Sequence, residues 1–377
     1  MIRVENLHLR YCSEQGEVHA VRGLNLTVKK GEFYTLLGPS GCGKTTTLRC
    51  VAGLETPEKG EIIIGDEPVF SSEGGLNVPT YRRQIGMVFQ SYAIWPHLSV
   101  FENVAFPLRE KKVARSEIQE RVLKALSLVQ LSGLEKRPAP FLSGGQQQRL
   151  ALARALVREP EVLLLDEPLS NLDAKLREET RLEIRGLVKR LGITTLYVTH
   201  DQVEALTMSD VVAVMNQGNI VQEGPPTEIY KSPKDLFVAT FIGLTNFLQG
   251  RVITVTSLSP RMGQVETSSG VLTCLFEKGM NKGDPVYVLV RPENIALVDS
   301  SIPAGDNFLE AKVERVIFLG DALDCQASLG GEILRIKLHP SAKLREGQKV
   351  RLQLPSHNCR VIPVELANAR RENSIDV

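Results

Sequence analysis

The chain has 377 residues, enough for two or three domains at about 150 residues each. Hydrophobic residues make up 42% and charged residues 24%, which is typical of a globular chain and excludes global disorder. The 45 lysines and arginines nearly balance 44 acids, and a net charge of +1 disfavours nucleic acid as a partner.

The sequence shows neither a membrane span nor a secretory signal. Its longest apolar runs, such as residues 211–215, are far below the roughly 18 residues that a spanning helix needs. The first residues lack the apolar stretch of a signal peptide. No Cys-x-x-Cys pair occurs among the six cysteines, which are Cys12, Cys42, Cys50, Cys274, Cys325 and Cys359. This spacing argues against a zinc site or a disulfide framework, and we expect a cytosolic protein.

In the first two thirds of the chain, short apolar runs alternate with stretches of helical spacing. Buried strands are predicted at residues 33–37, 162–165 and 195–199, and helices at 117–131 and 146–157. Strands that alternate with helices usually form a parallel sheet that is covered on both faces. We therefore predict an α/β fold for this region.

The pattern changes near Gly243, where short strands with Gly and Asn turns replace the helical spacing. We place the boundary between Ile242 and Phe247. An α/β domain is therefore predicted at residues 1–242 and an all-β domain at residues 247–377.

The β domain carries a weak internal repeat. Residues 283–290 and 347–354 each begin with glycine and alternate apolar residues, and Asn294 and Asn358 follow 11 positions after the glycines. Two related β-barrel units would explain the repeat. Chance alignment of generic strands is the alternative, because alternating patterns are common.

The strongest functional motif is a glycine-rich loop between the first predicted strand and a helix that begins at Thr46. The pattern G-x-x-x-x-G-K-[ST] is matched by Gly38, Pro39, Ser40, Gly41, Cys42, Gly43, Lys44 and Thr45. Glycines let backbone N–H groups surround a phosphate, and the helix N-terminus adds partial positive charge. Lys44 supplies a cation for the β- and γ-phosphates, and Thr45 offers a hydroxyl to Mg²⁺. The strand–loop–helix context disfavours the alternative of a turn without a ligand.

Two carboxylates, Asp166 and Glu167, follow the predicted strand at 162–165. Asp166 would hold Mg²⁺, mostly through water, and Glu167 would polarise the attacking water. A strand that merely ends in a polar turn is the alternative interpretation. The presence of a phosphate-binding loop in the same chain disfavours this alternative.

A second helix start with an open backbone follows Leu142. Ser143 is typical of an N-cap, and Gly144 and Gly145 expose the first turn before Gln146. This pattern predicts a second anion-binding helix terminus in the same chain. A plain capped helix is the more usual meaning of such a stretch.

Together, these motifs resemble the ATP-binding subunits of ABC transporters over roughly residues 1–242. The resemblance rests on the phosphate loop, Gln90, Leu142–Gln146, Leu165–Pro168, Ser170–Asp173 and Thr199–Asp201. It implies a P-loop ABC ATPase domain with a mixed sheet and a helical subdomain. The tail more loosely resembles the paired oligonucleotide-binding-like barrels, of TOBE type, that are appended to subunits of bacterial solute importers.

The resemblance also implies how ATP is bound. Two copies pair head to tail, and each ATP lies between the phosphate loop of one chain and the helix start Ser143–Gln146 of the other. Gln90 then approaches Mg²⁺ and the water, His200 contacts the γ-phosphate, and Asp173 crosses the dimer interface. Tyr11 stands where the family places an aromatic residue that stacks on adenine, with an ordinary surface tyrosine as the alternative.

An aromatic-rich loop follows Gln90 and contains the only tryptophan, Trp95. In the family this region forms the cleft that receives a helix of the membrane subunit, and an ordinary core loop is the alternative. The implied partners are a second copy, integral membrane permease subunits and, indirectly, an extracytoplasmic solute-binding protein. The protein would then be peripheral, at the cytoplasmic face of the plasma membrane.

The preferred function is the motor of an importer, which hydrolyses ATP and transmits dimer closure to the membrane partner. A soluble ABC ATPase of DNA repair or translation usually has two cassettes or a long coiled-coil insertion. The β tail and the missing fused span disfavour an exporter motor, and Glu167 and His200 disfavour a module without catalysis. Residues 94–104 resemble ferric iron, polyamine or phosphonate importers more than sugar importers, which remain an alternative.

Overall fold

The computed structural model describes residues 1–13, 16–256, 260–277, 279–298 and 306–364. Contacts divide the chain into unit one, Met1–Ile229, and unit two, Tyr230–Val377. This division falls within the helix Pro226–Lys231. The domain boundary between Ile242 and Phe247 remains a prediction.

Unit one is built on a six-stranded sheet with five parallel strands. The strands of the unit are β1 Ile2–Ser13, β2 Gly16–Val28, β3 Phe33–Leu37, β4 Lys59–Ile64, β5 Glu67–Ser71, β6 Leu76–Asn77, β7 Ile85–Val88, β8 Val162–Asp166, β9 Thr194–Thr199, β10 Val211–Asn216 and β11 Asn219–Gly224. The sheet has the order β11-β10-β3-β9-β8-β7, and β11 alone among these runs antiparallel to its neighbour. Every residue of β3, β8 and β9 is buried, as the predicted covering of both faces requires.

A second sheet in unit one was not predicted from the sequence. Five antiparallel strands form it in the order β2-β1-β4-β5-β6. In β2 the apolar Leu24, Leu26 and Val28 are buried, whereas the alternating Asn25 and Thr27 are exposed. One face of this sheet therefore packs on a core and the other is polar, and the unit is the mixed α/β fold that the family resemblance implied.

The predicted helices are present, and each begins two residues before its predicted start. The helices are α1 Lys44–Ala52, α2 Val100–Glu110, α3 Arg115–Leu128, α4 Gly144–Leu156, α5 Ala174–Leu191, α6 Gln202–Met208, α7 Pro226–Lys231 and, in unit two, α8 Leu236–Phe241. α3 ends three residues early because Gln130 adopts a left-handed φ of 59° and Leu131 N donates back to Leu126 O at 2.9 Å. No helix of the described ranges is long and apolar enough to cross a membrane.

After α8, the rest of unit two confirms the predicted all-β fold and shows an exchange of strands. Its strands are β12 Asn246–Val255, β13 Met262–Thr267, β14 Gly270–Leu275, β15 Pro285–Val290, β16 Ala296–Val298, β17 Phe308–Phe318, β18 Leu323–Leu329, β19 Glu332–Leu338, β20 Lys349–Gln353 and β21 Arg360–Pro363. β12-β13-β14-β21-β15 close a barrel, and β16-β20-β17-β18-β19 form a five-stranded sheet. β16, the last strand of the first sequence repeat, thus belongs to the five-stranded sheet, and β21, the last strand of the second repeat, belongs to the barrel. One hydrophobic core includes residues of both.

The two sequence repeats make the same backbone contacts. In the first, Gly283 N donates to Val252 O at 2.8 Å and Val252 N donates to Asp284 O at 3.1 Å. In the second, Gly347 N donates to Val313 O at 2.7 Å and Val313 N donates to the carbonyl of the residue after Gly347 at 2.9 Å. This equivalence supports a true repeat over a chance alignment.

Candidate active site

Four neighbouring parallel strands end at the same edge of the sheet in unit one. The phosphate loop follows β3, His200 follows β9, Asp166 ends β8 before Glu167, and Gln90 lies two residues after β7. In open α/β sheets, ligands bind outside the carboxyl ends of the strands. The topology therefore brings together residues that are far apart in the sequence.

The phosphate loop has no room for a side chain at two of its glycines. A Cβ on Gly43, whose φ is 99°, would lie 2.2 Å from Ala20 O. A Cβ on Gly38 would lie 2.4 Å from Met215 O and 2.6 Å from the Cys42 sulfur. The loop is thus packed tightly against the sheet and delivers the chain to the N-terminus of α1.

Lys44 is held inside this loop. Its ammonium donates to the carbonyl oxygens of Gly38 and Pro39, both at 2.8 Å, and the residue is 5% exposed. Burial raises the pKa of the neighbouring Cys42, which agrees with its interpretation as a small filler and not a reactive thiol. A phosphate in the loop would replace neutral carbonyl partners of Lys44 with a charged one, which is the stronger hydrogen bond.

Thr45 and Asp166 form an oxygen pair at the start of α1. The Thr45 hydroxyl donates to Asp166 Oδ1 at 2.9 Å. Burial raises the pKa of Asp166, and the hydrogen bond from Thr45 opposes that rise. A hydroxyl and a carboxylate fit Mg²⁺, which prefers oxygen ligands. Because the described residues contain no cluster of three metal-binding side chains, a cation here would need further oxygens from phosphates and water.

Glu167 is the centre of a three-residue cluster. Its Oε2 lies 3.1 Å from His200 Nδ1 and accepts from Gln90 Nε2 at 3.4 Å. The backbone of Glu167 is left-handed, with φ 43°, and its N–H donates to Val198 O at 3.0 Å. Such a conformation is costly for a residue with a side chain and is found often at functional sites. Here it turns the carboxylate toward the residues that follow β7 and β9.

The second predicted helix start is a capping box. Gln146 N donates to Ser143 Oγ at 3.4 Å, and Ser143 N donates to the Gln146 side chain at 3.1 Å. A Cβ on Gly145 would lie 3.1 Å from Leu176 of α5, the helix that Asp173 caps by accepting from Leu176 N. Within the described ranges, no hydrogen bond joins Ser143–Gln146 to the phosphate loop of the same chain.

Tyr11 lies on β1 beside the first helix. Burial raises the pKa of its phenol. The ring is nevertheless 41% exposed. An exposed aromatic ring beside α1 is suited to stacking on a planar ligand group near the phosphate loop.

Comparison with known proteins agrees with this geometry. Residues 21–170 match the ABC transporter family and residues 288–362 match the TOBE domain. The spermidine/putrescine import ATP-binding protein PotA of Rubrobacter xylanophilus is 45% identical over 96% of this chain and 93% of its own length. The trehalose/maltose import ATP-binding protein MalK of Thermococcus litoralis is 47% identical over 89% of this chain and 91% of its own.

The chain belongs to the ATP-binding subunits of ABC importers. Among solved structures it is similar to the dimeric bacterial ABC transporter cassette MJ0796, with a TM-score of 0.53 and 32% identity. The match covers 60% of this chain and 99% of that one. A second structure of that cassette is a post-hydrolysis dimer bound to ADP and Pi, with a TM-score of 0.52. This ABC subunit is accordingly an ATP-binding ATPase.

The sequence analysis did not predict two residues of the ABC subunit that lie around the cluster. Arg154 of α4 donates to Tyr92 O and Ala93 O, both at 2.6 Å, and its guanidinium lies 4.7 Å from the Trp95 ring centre. Burial lowers the pKa of Arg154 to about 10. Arg154 therefore fixes the loop after Gln90. Nothing in the sequence of residues 150–156 distinguished it from an ordinary helical arginine.

The second missed residue is Glu204 of α6. It is 3% exposed and accepts from the Tyr197 hydroxyl at 2.7 Å and the Thr199 hydroxyl at 2.6 Å. Burial raises the pKa of this carboxyl. By bonding the end of β9, Glu204 fixes the residue before His200. The only sequence signal was an acid three residues after the N-cap Asp201.

The aromatic loop after Gln90 borders a groove of about 280 Å³. Trp95 packs on Phe106 with ring centres 4.3 Å apart, and both line the groove. α2 then begins with a capping box of Ser99 and Glu102. The loop is thus neither fully buried core nor a free surface, and it is attached to the cluster through Gln90.

Proposed function

We propose that Glu167 is the general base of ATP hydrolysis and that Gln90 and His200 position the water and the γ-phosphate. The observation that carries this proposal is the cluster in which Glu167 Oε2 meets His200 at 3.1 Å and Gln90 at 3.4 Å. Glu167 lies next to Asp166, the partner of Thr45. A base needs hydrogen-bond reach to the water it activates, and such positioning carries most of phosphoryl-transfer catalysis.

We propose that the phosphate loop, from Gly38 to Thr46, holds the ATP phosphates and that Tyr11 stacks on the adenine. Thr45, Asp166 and Gln90 would hold Mg²⁺, which neutralises the phosphate charge when bound. Lys44 is positioned to exchange its two carbonyl partners for phosphate oxygens. These assignments rest on oxygen donors and cationic groups that face one edge of the sheet.

We propose that a second copy supplies the other half of each site. Ser143, Gly144, Gly145 and Gln146 would contact the γ-phosphate held by the partner chain, with Asp173 at the interface. Two features of the start of α4 support this pairing. Its first turn contains two glycines, and within the described residues no hydrogen bond joins it to the phosphate loop of the same chain. The dimers of the similar cassette MJ0796 agree with it.

We propose that the subunit drives uptake through integral membrane permease subunits, one helix of which enters the groove at Trp95. An extracytoplasmic binding protein would deliver the solute to those subunits, and the ATPase would sit on the cytoplasmic face of the membrane. The proposed solute is a polyamine, because the relative PotA matches 96% of this chain. A trehalose/maltose-type sugar is the second candidate, from the relative MalK. Iron and phosphonate appear in neither relative's name and are not retained.

Exchange of Glu167 for Gln tests the catalytic proposal. Removal of the base with the shape kept should lower turnover on the order of a hundredfold or more, with ATP affinity unchanged. Lys44→Ala is the matched variant, and there ATP affinity should fall because the phosphates lose a cation. Turnover and nucleotide affinity are measured for both. Full ATPase activity of Glu167→Gln would refute the role of Glu167.

Uptake by the assembled transporter tests the solute. Vesicles that contain the permease subunits and this ATPase should accumulate labelled putrescine or spermidine when ATP is enclosed, and the Glu167→Gln complex should not. Labelled trehalose and maltose form the comparison. Uptake of the sugars without polyamine uptake would replace the first candidate with the second.

A further inference from the structure

His200 stands on a turn whose residues on either side are both fixed. The Thr199 hydroxyl donates to Glu204 Oε2 at 2.6 Å and accepts from Asp201 N at 2.9 Å. Asp201 Oδ1 accepts from two N–H groups in the first turn of α6, at 2.7 and 3.2 Å. The His200 side chain is 57% exposed and bonds, within the described residues, to Glu167. The direction of its ring therefore depends on how the turn is held.

The other carboxylate oxygen of Asp201 faces Arg177 of α5. Arg177 Nη1 lies 3.8 Å from Asp201 Oδ2, and Arg177 Nη2 donates to Leu172 O at 2.9 Å. Leu172 immediately precedes Asp173, which caps α5. One guanidinium thus joins the turn after His200 to the turn before α5, although the two turns are far apart in the sequence.

Stability of the fold does not account for Arg177. Its Nε is buried and has no hydrogen-bond partner in the part of the chain that the structure describes. An unpaired buried N–H group lowers stability. The ion pair with Asp201 is long and partly exposed, with 33% and 28% of the two side chains accessible, so it contributes little. Such a residue is more easily explained by the site that it adjoins.

We propose that Arg177 is a positioning residue for ATP hydrolysis, which holds the turn of His200 against the turn of Asp173. This inference rests on the proposed function, in which His200 contacts the γ-phosphate and Asp173 lies at the partner chain. A guanidinium suits the task, because its N–H groups have a fixed planar geometry and can reach two segments at once. Small displacements of a catalytic group lower the rate of the chemical step more than they change ligand binding.

The ring nitrogens of His200 test this link in the full-length, nucleotide-free protein. The six histidines are labelled with ¹⁵N, and the signals of His200 are identified by their absence in His200→Gln. Arg177→Met should shift these signals, because the ring moves relative to Glu167. Asp201→Ser should shift them in the same direction. It keeps a capping oxygen for α6 but removes the carboxylate that faces Arg177.

Arg181→Met is the matched control. Arg181 lies one turn further along α5 and donates to the Thr207 hydroxyl of α6 at 3.4 Å. Its loss loosens α5 against α6 but touches neither of the two turns. The His200 signals and the turnover of Arg181→Met should therefore stay as in the wild type.

ATP turnover and nucleotide affinity of the same variants test the consequence for hydrolysis. Arg177→Met should lower kcat about five- to tenfold, with ATP affinity of the single chain within a factor of about two. Asp201→Ser should have a similar effect. The double variant should be no slower than the slower of the two single variants, because both changes remove the same link.

Several outcomes would overturn the proposal. One is that the His200 signals do not move in Arg177→Met, or move equally in Arg181→Met. Another is that the losses of kcat multiply in the double variant. A loss of ATP affinity as large as the loss of kcat would make Arg177 a structural residue only. Full turnover by His200→Ala would instead refute the proposed role of His200, while the ¹⁵N signals would still decide whether Arg177 positions that ring.

Discussion

In unit one, the side chains of Gln90, Glu167 and His200 meet one another at the ends of strands. In unit two, the buried side chains of Asn307 and Arg291 bond to backbone instead. Asn307 is 7% exposed, and its amide accepts from Thr273 N and donates to Thr273 O, both at 2.7 Å. Groups that bond to one another at a strand edge can exchange partners with a ligand. Asn307 satisfies buried backbone groups of unit two, and loss of these bonds would leave those groups without partners.

Arg291 in unit two shows the same use of a polar side chain. Its guanidinium donates to Ile242 O at 2.6 Å, to Leu244 O at 3.1 Å and to Tyr230 O at 2.9 Å. Burial lowers its pKa, yet the three carbonyls compensate for lost hydration. A charged residue in unit two thus stabilises a chain turn, while Lys44 in unit one binds carbonyls that a phosphate can replace.

The largest effect should follow from Gly145→Asp in unit one. A carboxylate at this helix start would repel the phosphate of the partner chain, and we expect turnover to fall more than about a hundredfold. Nucleotide affinity of the single chain should stay within a factor of three or so, since the charge lies outside its own phosphate loop. ATPase rates and equilibrium nucleotide binding measure the two quantities.

Gly145→Ala is the control for bulk without charge. Its methyl group would approach the flexible end of Leu176 at 3.1 Å, so a modest loss of activity is expected. Normal hydrolysis by Gly145→Asp would show that Ser143–Gln146 does not face a phosphate, and the head-to-tail dimer would then be wrong.

Removal of β21 should break unit two while ATP binding is kept. A chain that ends at Leu354 lacks the strand that pairs with β14 and β15, although β21 belongs to the second sequence repeat. The barrel would be left with an open edge and an exposed core, and we expect a loss of β signal in far-UV circular dichroism. ATP affinity and the fluorescence of Trp95, which lies in unit one, should be unchanged.

Two separate repeats would give the opposite result. If each repeat formed its own sheet, the truncated chain would keep the barrel β12–β15 intact and lose structure only in the second repeat. Hydrogen exchange of the amides in β14 and β15 distinguishes the two cases, because exchange of strands predicts their loss of protection.

The sequence predicted the parts of the molecule that depend on local pattern. The phosphate loop and the Ser143 cap are short motifs whose neighbours in sequence are also their neighbours in space. The resemblance implied that Glu167, His200 and Gln90 share one site around the γ-phosphate and the attacking water. Their contacts of 3.1 and 3.4 Å required the structure.

Long-range partners could not be predicted in the same way. Arg154 contacts a loop some 60 residues away, and its sequence context is an ordinary helix. The exchange of β16 and β21 leaves no mark in either repeat, because a strand has the same alternation whichever sheet it joins. The sheet that contains β2 was missed for a related reason, since its two halves, β1–β2 and β4–β6, are separated in the sequence by β3, the phosphate loop and α1.

A smaller effect is expected from Asn307→Ala in unit two. The change removes three hydrogen bonds with backbone groups, including the one to Leu354 O at 2.9 Å, and it places alanine at a left-handed φ of 59°. Unsatisfied backbone and strain together should lower the free energy of unfolding by about 3 kcal/mol. Asn307→Gly loses the same hydrogen bonds but relieves the strain, so its free energy of unfolding should fall less than that of Asn307→Ala. Equal stability of Asn307→Ala and wild type in urea would contradict the role of Asn307.

The smallest effect is expected from Asp210→Asn in unit one and depends on pH. Burial opposes ionisation of Asp210, but hydrogen bonds from Arg185, Lys189 and Phe33 N outweigh it and lower the pKa to about 2. Because the unfolded-state pKa is about 3.9, the ionised carboxylate stabilises the fold above that pH, and the stabilisation is lost as the pH falls toward 2. After allowance for partial solvent exposure, the substitution should cost about 1 kcal/mol at pH 7.

Urea unfolding followed by Trp95 fluorescence measures this difference, since the only tryptophan lies in the same unit as Asp210. The difference in the free energy of unfolding between wild type and Asp210→Asn should decrease steadily between pH 4 and pH 2. Glu117→Gln is the control, because Glu117 pairs with Arg121 on an exposed helix face and should matter little at any pH. If this difference is the same at pH 7 and pH 2.5, the carboxylate acts through its shape alone. The ion pairs at Asp210 would then contribute nothing to the stability of unit one.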